Sequence, residues 1–390
     1  MPATFGSILA ADLARGTEDA FEDFRDALAD HREGRSGGIN PADVGLRDLF
    51  EQLVPDGREA IGYLNPRVEF DAMEFAAVNT GLFSKITGQL IFSSIMAAYQ
   101  SPAYVLTGLI PSESTPFQDG ELIPGMTNLN GDDALVVGEG EQYPRAGFTD
   151  EFTETPRTTK RGLIVSVTRE AVFGDRIGLV LSRASQVGEV LGLAKERRLI
   201  DLMIGATNNY KRNGTATNTY QTASPWINDQ SNPLATFSDV DASEQLFLNM
   251  TDPNNGEEIV ITGAQYLFSR DRKQIANRIF GASEVRDITG ATTTISANPV
   301  AGEGNPIFTR LMKNRIVSEL GEAAADAAEW WFHGQFNKAF TYKENWPITT
   351  VQAPRNSTDE FNRDIVAEYK ASEKGVAAVK DPRYVIRNKH

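Results

Sequence analysis

His31, His333 and His390 are the only histidines of the chain, and so the only side chains whose ordinary pKa lies near neutrality. His333 follows Glu329-Trp330-Trp331-Phe332, an aromatic cluster with no nucleophile at a recognisable elbow beside it. It reads as a strand histidine packed against aromatics, not as a general base. Paired carboxylates are the next candidates, at Asp132-Asp133 and Glu257-Glu258. Neighbours in an extended strand point to opposite faces, and both pairs border Gly or Asn turns, so neither pair can work on one substrate. They read as solvated turn acids. Arg270, Arg272, Lys273 and Arg278 offer charge that could hold phosphate, but on one amphipathic helix such a cluster reads as a solvated or intersubunit face. Cysteine is absent, which excludes disulfides, thiolate catalysis and cysteine-ligated zinc. No Walker loop, dinucleotide glycine fingerprint or EF-hand spacing occurs. No catalytic, cofactor-binding or metal-binding residue is expected, and the chain does not read as an enzyme.

The charge narrows the partners. A formal net charge of −15, from 53 acidic and 38 basic residues, opposes tight nonspecific binding to phosphate backbones. Much of the excess is local: residues 1–75 hold 16 Asp and Glu against 7 Arg and no Lys, a net of −9. At 390 residues, 41% apolar and 23% charged, the chain can bury a substantial core in more than one subdomain. The longest apolar region, Leu82 to Val105, is interrupted by Lys85, Gln89, Gln100 and Pro102, so no membrane span is expected. The start, Met1-Pro-Ala-Thr-Phe-Gly-Ser, lacks the basic-then-apolar pattern of a secretory leader, and folding in a cytosolic compartment is expected.

Periodicity then locates the elements. Gly138-Glu-Gly-Glu-Gln-Tyr-Pro144, Phe148-Thr-Asp-Glu-Phe152 and Thr158-Thr-Lys160-Arg-Gly162-Leu-Ile-Val-Ser-Val-Thr-Arg169-Glu170 alternate apolar and polar residues in places. Pro144, Pro156 and the glycines keep the segment out of a central sheet position and predict an extended, edge-rich hairpin that must lie on something else. From Asp175 the period becomes helical. Ile177, Val180, Leu181, Ala184, Val187, Val190, Leu191, Ala194 and Leu199-Ile200 form an apolar stripe, with Asp175 as N-cap and Gly205 past the C-terminus. Thr17 to His31 predicts a helix broken at Gly34, and Pro41 to Leu53 a second, shorter one. Tyr210 to Phe237, rich in Asn, Thr, Ser and Gly, reads as a long loop. Asp252-Pro-Asn-Asn-Gly256 marks a turn before a strand at Ile259.

In this order the segments resemble the major capsid proteins of tailed bacteriophages, the HK97-like fold. Gly138-Glu-Gly-Glu, the Thr158 to Leu163 return strand with Lys160, and the Val167 to Glu170 step into Asp175 resemble that family's E-loop and its passage into the spine helix. Glu257 to Thr262 followed by Ala264 to Ala276 resembles the strand and helix of its axial domain. Gly334 to Phe340, Ile348 to Val351, Asp364 to Lys370 and Asp381 to Ile386 resemble its closing peripheral-domain strands. The resemblance covers roughly two-thirds of the chain, and the order of motifs carries it.

The resemblance implies an α+β subunit with an acidic helical arm at residues 1–75, a peripheral-domain entry segment at 76–125, an E-loop at 126–166, a spine helix with peripheral domain at 167–211, an axial domain at 212–335 and closing strands at 336–390. It also implies a non-enzymatic shell subunit that self-assembles through pentamers and hexamers into an icosahedral virion capsid around double-stranded DNA, without sequence-specific binding. Assembly in the host cytoplasm, with scaffold, portal and decoration proteins as further partners, comes with it. Tyr143, Arg145, Phe148 and Phe152 are the expected intersubunit contacts of the E-loop. Some relatives cross-link an E-loop lysine to an asparagine of another subunit. Between Glu121 and Lys160 the basic residues are Arg145, Arg157 and Lys160, and Lys160 falls near the hairpin base, so a noncovalent shell is expected. An encapsulin-like nanocompartment is the nearest alternative. A hydrolytic enzyme is the further one, and a deep pocket with convergent polar groups would distinguish it.

Overall fold

A computed structural model describes residues 17–35, 38–40, 77–124, 137–140, 142, 152–168, 177–207, 210–251, 256, 258–259, 261, 265–289, 292–302, 304, 306–353 and 365–390. Helices and strands mix in an α+β arrangement. In chain order the first are α1 (Thr17–Arg32), α2 (Ala77–Tyr99), α3 (Val105–Leu109), β1 (Ser112–Ser114), β2 (Leu122–Pro124), β3 (Phe152–Glu154), β4 (Thr159–Thr168) and α4 (Ile177–Met203). There follow β5 (Lys211–Arg212), β6 (Thr215–Ala216), β7 (Asp229–Ser231), α5 (Phe237–Leu248), β8 (Gln265–Ser269), α6 (Lys273–Gly281), β9 (Glu284–Thr289), β10 (Thr292–Ala297) and β11 (Pro306–Thr309). The last are α7 (Met312–Arg315), α8 (Ala324–Glu329), β12 (Trp331–Gly334), α9 (Phe336–Ala339), β13 (Phe340–Gln352), β14 (Ile365–Val379) and β15 (Val385–Lys389). The chain divides into two compact units, one of Met1–Ser101, Lys160–Ala194 and Pro347–Glu373, the other of Pro102–Thr159, Lys195–Trp346 and Lys374–His390. The long strands β13 and β14 contribute to both, in a sheet ordered β1-β13-β14-β4.

The first unit rests on close helix packing. Phe24, Ala27 and Leu28, at helical spacing on α1, are buried, and α1 packs against α2. The chain leaves α1 through Gly34 at φ 70°, the left-handed turn that glycine adopts without a Cβ penalty. Ser94 of α2 donates its hydroxyl to the Leu181 carbonyl of α4 at 3.2 Å. Below it on α2, buried Tyr99 donates a 2.7 Å hydrogen bond to the buried Glu373 carboxylate on β14. Burying that carboxylate without such a donor would cost several kcal/mol, on the order of the usual penalty for an unpaired charge.

The second unit holds a five-stranded sheet ordered β11-β8-β12-β15-β7. β12 is antiparallel to both neighbours, with Trp331 opposite Asn388 and Phe268, while β11 and β7 join in parallel. One apolar cluster gathers Leu199, Ile200, Leu202, Met203, Ile204, Tyr210, Trp226, Phe332, Phe336 and Phe340. A second gathers Tyr266, Phe268, Phe280 and Trp331. α4 ends as the sequence predicts: Gly205 takes φ 79° and the Ala206 N–H reaches back to the Asp201 carbonyl at 2.9 Å.

Several expectations need correction. The stretch from Tyr210 to Phe237 is not one loop, since β5, β6 and β7 form within it. Their two- and three-residue lengths leave no period to read. A strand forms at β8, after the Glu257 to Thr262 segment expected to carry one; in that segment, among the described residues, Glu258 makes an isolated bridge to Thr251. The basic cluster starts on a 3-10 turn, Arg270–Arg272, before α6 begins. Within Gly334 to Phe340, α9 replaces the expected strand, and Asp381 to Ile386 opens on a 3-10 turn, Pro382–Tyr384, before β15. Val190, placed on the buried stripe of α4, is 54% exposed. Asp175 and the helix expected from Pro41 to Leu53 lie outside the described residues.

Candidate assembly surface

The base of the expected hairpin is built from short strands. β2 pairs antiparallel with β3, Leu122 opposite Glu154 and Pro124 opposite Phe152, so the chain that departs at Pro124 returns beside it. β3 pairs in turn with β5, and β5 with β6, in the order β2-β3-β5-β6. The β5–β6 turn is Asn213-Gly214 with φ 49° and 76°, the left-handed pair that a tight hairpin requires and that Asn-Gly adopts most readily. Asn213 also clasps β3, where its side-chain oxygen accepts the Phe152 N–H and its own N–H donates to the Phe152 carbonyl, both at 2.9 Å. Lys211 pairs with Glu154 at 3.1 Å across the same strands.

Further hydrogen bonds fix the strand ends. The Thr155 N–H donates to the Glu121 carbonyl while the Thr155 hydroxyl accepts the Glu121 N–H, each at 2.9 Å. Thr158 donates to the Gln118 carbonyl through both its N–H and its hydroxyl, at 3.1 Å. Lys374 donates to the Gln118 side chain at 2.9 Å.

A buried ionic network sits next to this base. Lys195 on α4 pairs with Glu344 on β13 at 2.8 Å and lies 4.2 Å over the Tyr342 ring. Lys343 pairs with Glu113 at 2.8 Å and with Glu121 at 3.4 Å, and Lys380 reaches Glu113 at 3.2 Å. Burial alone would raise the Glu113 pKa, but hydrogen bonds and charge from Lys343 and Lys380 outweigh it and hold the carboxyl below its usual range. Burial would likewise lower the Lys343 pKa, and Glu113 and Glu121 raise it above the ordinary lysine value. Glu196 is fully buried, and its carboxylate accepts the N–H groups of Leu106 and Thr107 at 2.9 Å at the start of α3, plus the Thr107 hydroxyl at 2.8 Å. These groups hold β1, β2, β13, α3 and the C-terminal half of α4 at fixed spacing.

The candidates for chemistry come apart. His333 lies on β12 as the sequence predicts, stacked 4.3 Å from Tyr266 and edge-on to Phe247 at 4.9 Å. Its Nδ1 is 3.2 Å from the Ser243 hydroxyl, which accepts from Asn388 at 3.2 Å. A serine beside a histidine is the geometry of nucleophilic catalysis, and no local pattern marks Ser243, which lies 90 positions away. All three residues are buried, so no substrate reaches them, and burial lowers the His333 pKa to about 3, which makes it a poor base. His31 and His390 are exposed. Of the paired acids, Asp132, Asp133 and Glu257 lie outside the described residues. Among the described residues, no group of three or more His, Asp or Glu is placed to hold a metal ion, and no helix is long and apolar enough to cross a membrane.

Comparison with known protein families matches residues 151–388 to a model described as phage capsid protein. The chain belongs to the phage capsid protein family. It is a structural protein of a capsid shell and a component of a virion, and capsid shells are made by association of such chains with one another. No curated protein matches it. Among solved structures it is similar to the capsid of the native GTA particle, at 12% identity over 74% of this chain and 90% of that one, with a TM-score of 0.43. A chain from the structure of Gordonia phage Cozz matches at 14% identity over 73% and 86%, TM-score 0.41. The holo-SrpI encapsulin complex from Synechococcus elongatus matches at 12% over 74% and 87%, TM-score 0.39.

The surface of this capsid protein carries apolar side chains where strands end or lie at a sheet edge. Leu122 on β2 is 60% exposed and nearby Phe117 57%, both at the hairpin base. In the other unit, Ile164 on the edge strand β4 is 63% exposed. Unpaired strand edges bearing apolar residues are templates for contact with another chain. Of the four contacts expected from sequence, Phe152 is half-buried on β3 within the hairpin base, and Tyr143, Arg145 and Phe148 lie outside the described residues.

Proposed function

We propose that this capsid protein is an HK97-like subunit that assembles through pentamers and hexamers into an icosahedral shell enclosing double-stranded DNA. The family match over residues 151–388 carries the reading. The net charge of −15 supports it, since a wall with this balance does not trap the packaged nucleic acid by nonspecific binding. The hairpin base supports an E-loop at 126–166: β2 and β3 bring the two ends of the 125–151 stretch side by side, which lets that stretch reach a neighbouring subunit through Tyr143, Arg145, Phe148 and Phe152.

In this reading residues 1–75 form an N-terminal acidic helical arm, 76–125 enter the peripheral domain, and 167–211 supply the spine helix. Residues 212–335 form the axial domain and 336–390 close the peripheral domain. No reaction is catalysed. Scaffold, portal and decoration proteins are the further partners, and assembly takes place in the host cytoplasm. Sedimentation of the chain expressed alone tests the reading. Particles far larger than a small oligomer are expected, a stable monomer contradicts it, and particles filled with host protein would turn the reading to a nanocompartment.

A further inference from the structure

β8 and β11 run parallel with Ser269 opposite Thr309, so both end at the same edge of the five-stranded sheet, and the next residue on each is an arginine, Arg270 and Arg310. Neighbouring strands lie ~4.8 Å apart, so the two arginines leave the sheet side by side. Both are exposed. Lys313 on α7 pairs with Asp271 at 2.6 Å, which ties the turn after β11 to the turn after β8. Arg272 pairs with Glu329 at the end of α8. Lys273, the first residue of α6, lies 5.9 Å over the Phe308 ring. A surface that is merely solvated intersperses acids among its cations. Here Asp271 and Glu329 are engaged by Lys313 and Arg272, and Arg270, Lys273 and Arg310 have no carboxylate partner among the described residues. In a chain of net charge −15 this sheet edge gathers uncompensated charge of the opposite sign.

We infer that Arg270, Lys273 and Arg310 contact phosphate groups of the enclosed duplex DNA. The inference rests on the DNA-enclosing reading above and names where the wall meets its contents. Charge complementarity selects the partner: guanidinium groups hold phosphate through paired N–H donors, and a duplex presents one negative charge per ~1.7 Å of its axis. Cations on neighbouring strands therefore lie within reach of successive phosphates. The small number of contacts also fixes their strength. Three cations predict that log affinity falls against log salt with a slope of about −2.7, far shallower than for a protein that neutralises six to ten phosphates. Such a contact touches the duplex without trapping it, in keeping with the acidic balance of the whole chain.

Fluorescence anisotropy of a short labelled DNA duplex, titrated with the full-length chain as dissociated subunits over a range of salt, tests the contact. The double variant Arg270→Gln, Arg310→Gln is expected to bind at least tenfold more weakly at about 20 mM salt and to bring the slope to about −1, since each lost contact removes about 0.9. Its melting temperature should match the wild type, because both side chains are exposed. Arg25→Gln, on α1 and already paired with Asp26 at 3.3 Å, should change neither affinity nor slope. Equal affinity and slope in the double variant and the wild type would overturn the contact, and wild-type particles forming normally would then leave the capsid reading intact. A double variant that loses binding to polyglutamate while holding the duplex unchanged would assign this edge to an acidic protein segment and equally overturn it. Wild-type chain that forms no particles would overturn the capsid reading and this contact with it.

Discussion

Gly188 on α4 lies so close to α2 that a Cβ added to it would come within 2.2 Å of the Ile95 carbonyl oxygen and 3.0 Å of the Ala98 methyl. No real Cβ sits that near backbone, so the spacing of these two helices depends on this glycine. Gly188→Ala is expected to cost about 1–3 kcal/mol or more, as overpacking does when the neighbour is main chain. Gly108 on α3, whose added Cβ meets nothing within 4 Å, is the control. Thermal melts of both variants check the point: a large drop for Gly188→Ala alone is predicted, and equal melting temperatures would contradict the close approach.

Acid should act through His333. Burial lowers its pKa to about 3 from an unfolded value of 6.5, so as pH falls the unfolded chain takes up a proton before the folded one does. Stability is therefore full above about pH 6.5 and declines by roughly 1.4 kcal/mol per pH unit below it. His333→Phe, of similar shape among the same aromatics, should flatten this decline. Urea midpoints at pH 7 and pH 5 measure it, and an equal loss in both proteins would refute the assignment.

Asp229 and Arg387 form a two-pronged ion pair at 2.8 and 3.0 Å across β7 and β15, with Lys389 at 2.9 Å. Burial would raise the Asp229 pKa, but hydrogen bonds and charge from Arg387 and Lys389 hold it below its usual value. This stabilisation is present above the ordinary carboxylate range and is lost as pH falls through the lowered pKa. Arg387 also lies 4.3 Å over the Tyr220 ring and donates to the Ile204 carbonyl at 2.9 Å, so removing its partner leaves a buried cation unpaired. Asp229→Asn is expected to cost about 3–5 kcal/mol. Lys389→Ala, on the more exposed side, should cost no more than about 1 kcal/mol. Chemical denaturation of the two variants at pH 7 checks the order.

How far the sequence disclosed this structure depends on whether a feature is local. The spine helix could be read to within two residues at each end, because an amphipathic period and a terminal glycine both lie in one stretch. The strand setting of His333 among aromatics was legible for the same reason. α2 was not seen as a helix, since its near-uniform apolarity gives no period to find. The hairpin base escaped because its strands are two or three residues long and its clasp joins Phe152 to Asn213, 61 positions apart. Ser243 against His333 escaped likewise. Such pairs are set by tertiary packing, which no window of sequence contains.

The noncovalent shell expected from the basic residues between Glu121 and Lys160 should dissolve fully in hot detergent. Particles boiled in SDS are expected to run as a single monomer band. A ladder of linked oligomers would establish a covalent bond between subunits and refute the noncovalent account.

Electron microscopy of the chain expressed alone and purified by size tests the central claim most directly. Closed empty shells, or ring-shaped capsomers awaiting a scaffold, are the predicted result, and uniform small particles the size of one chain would contradict it.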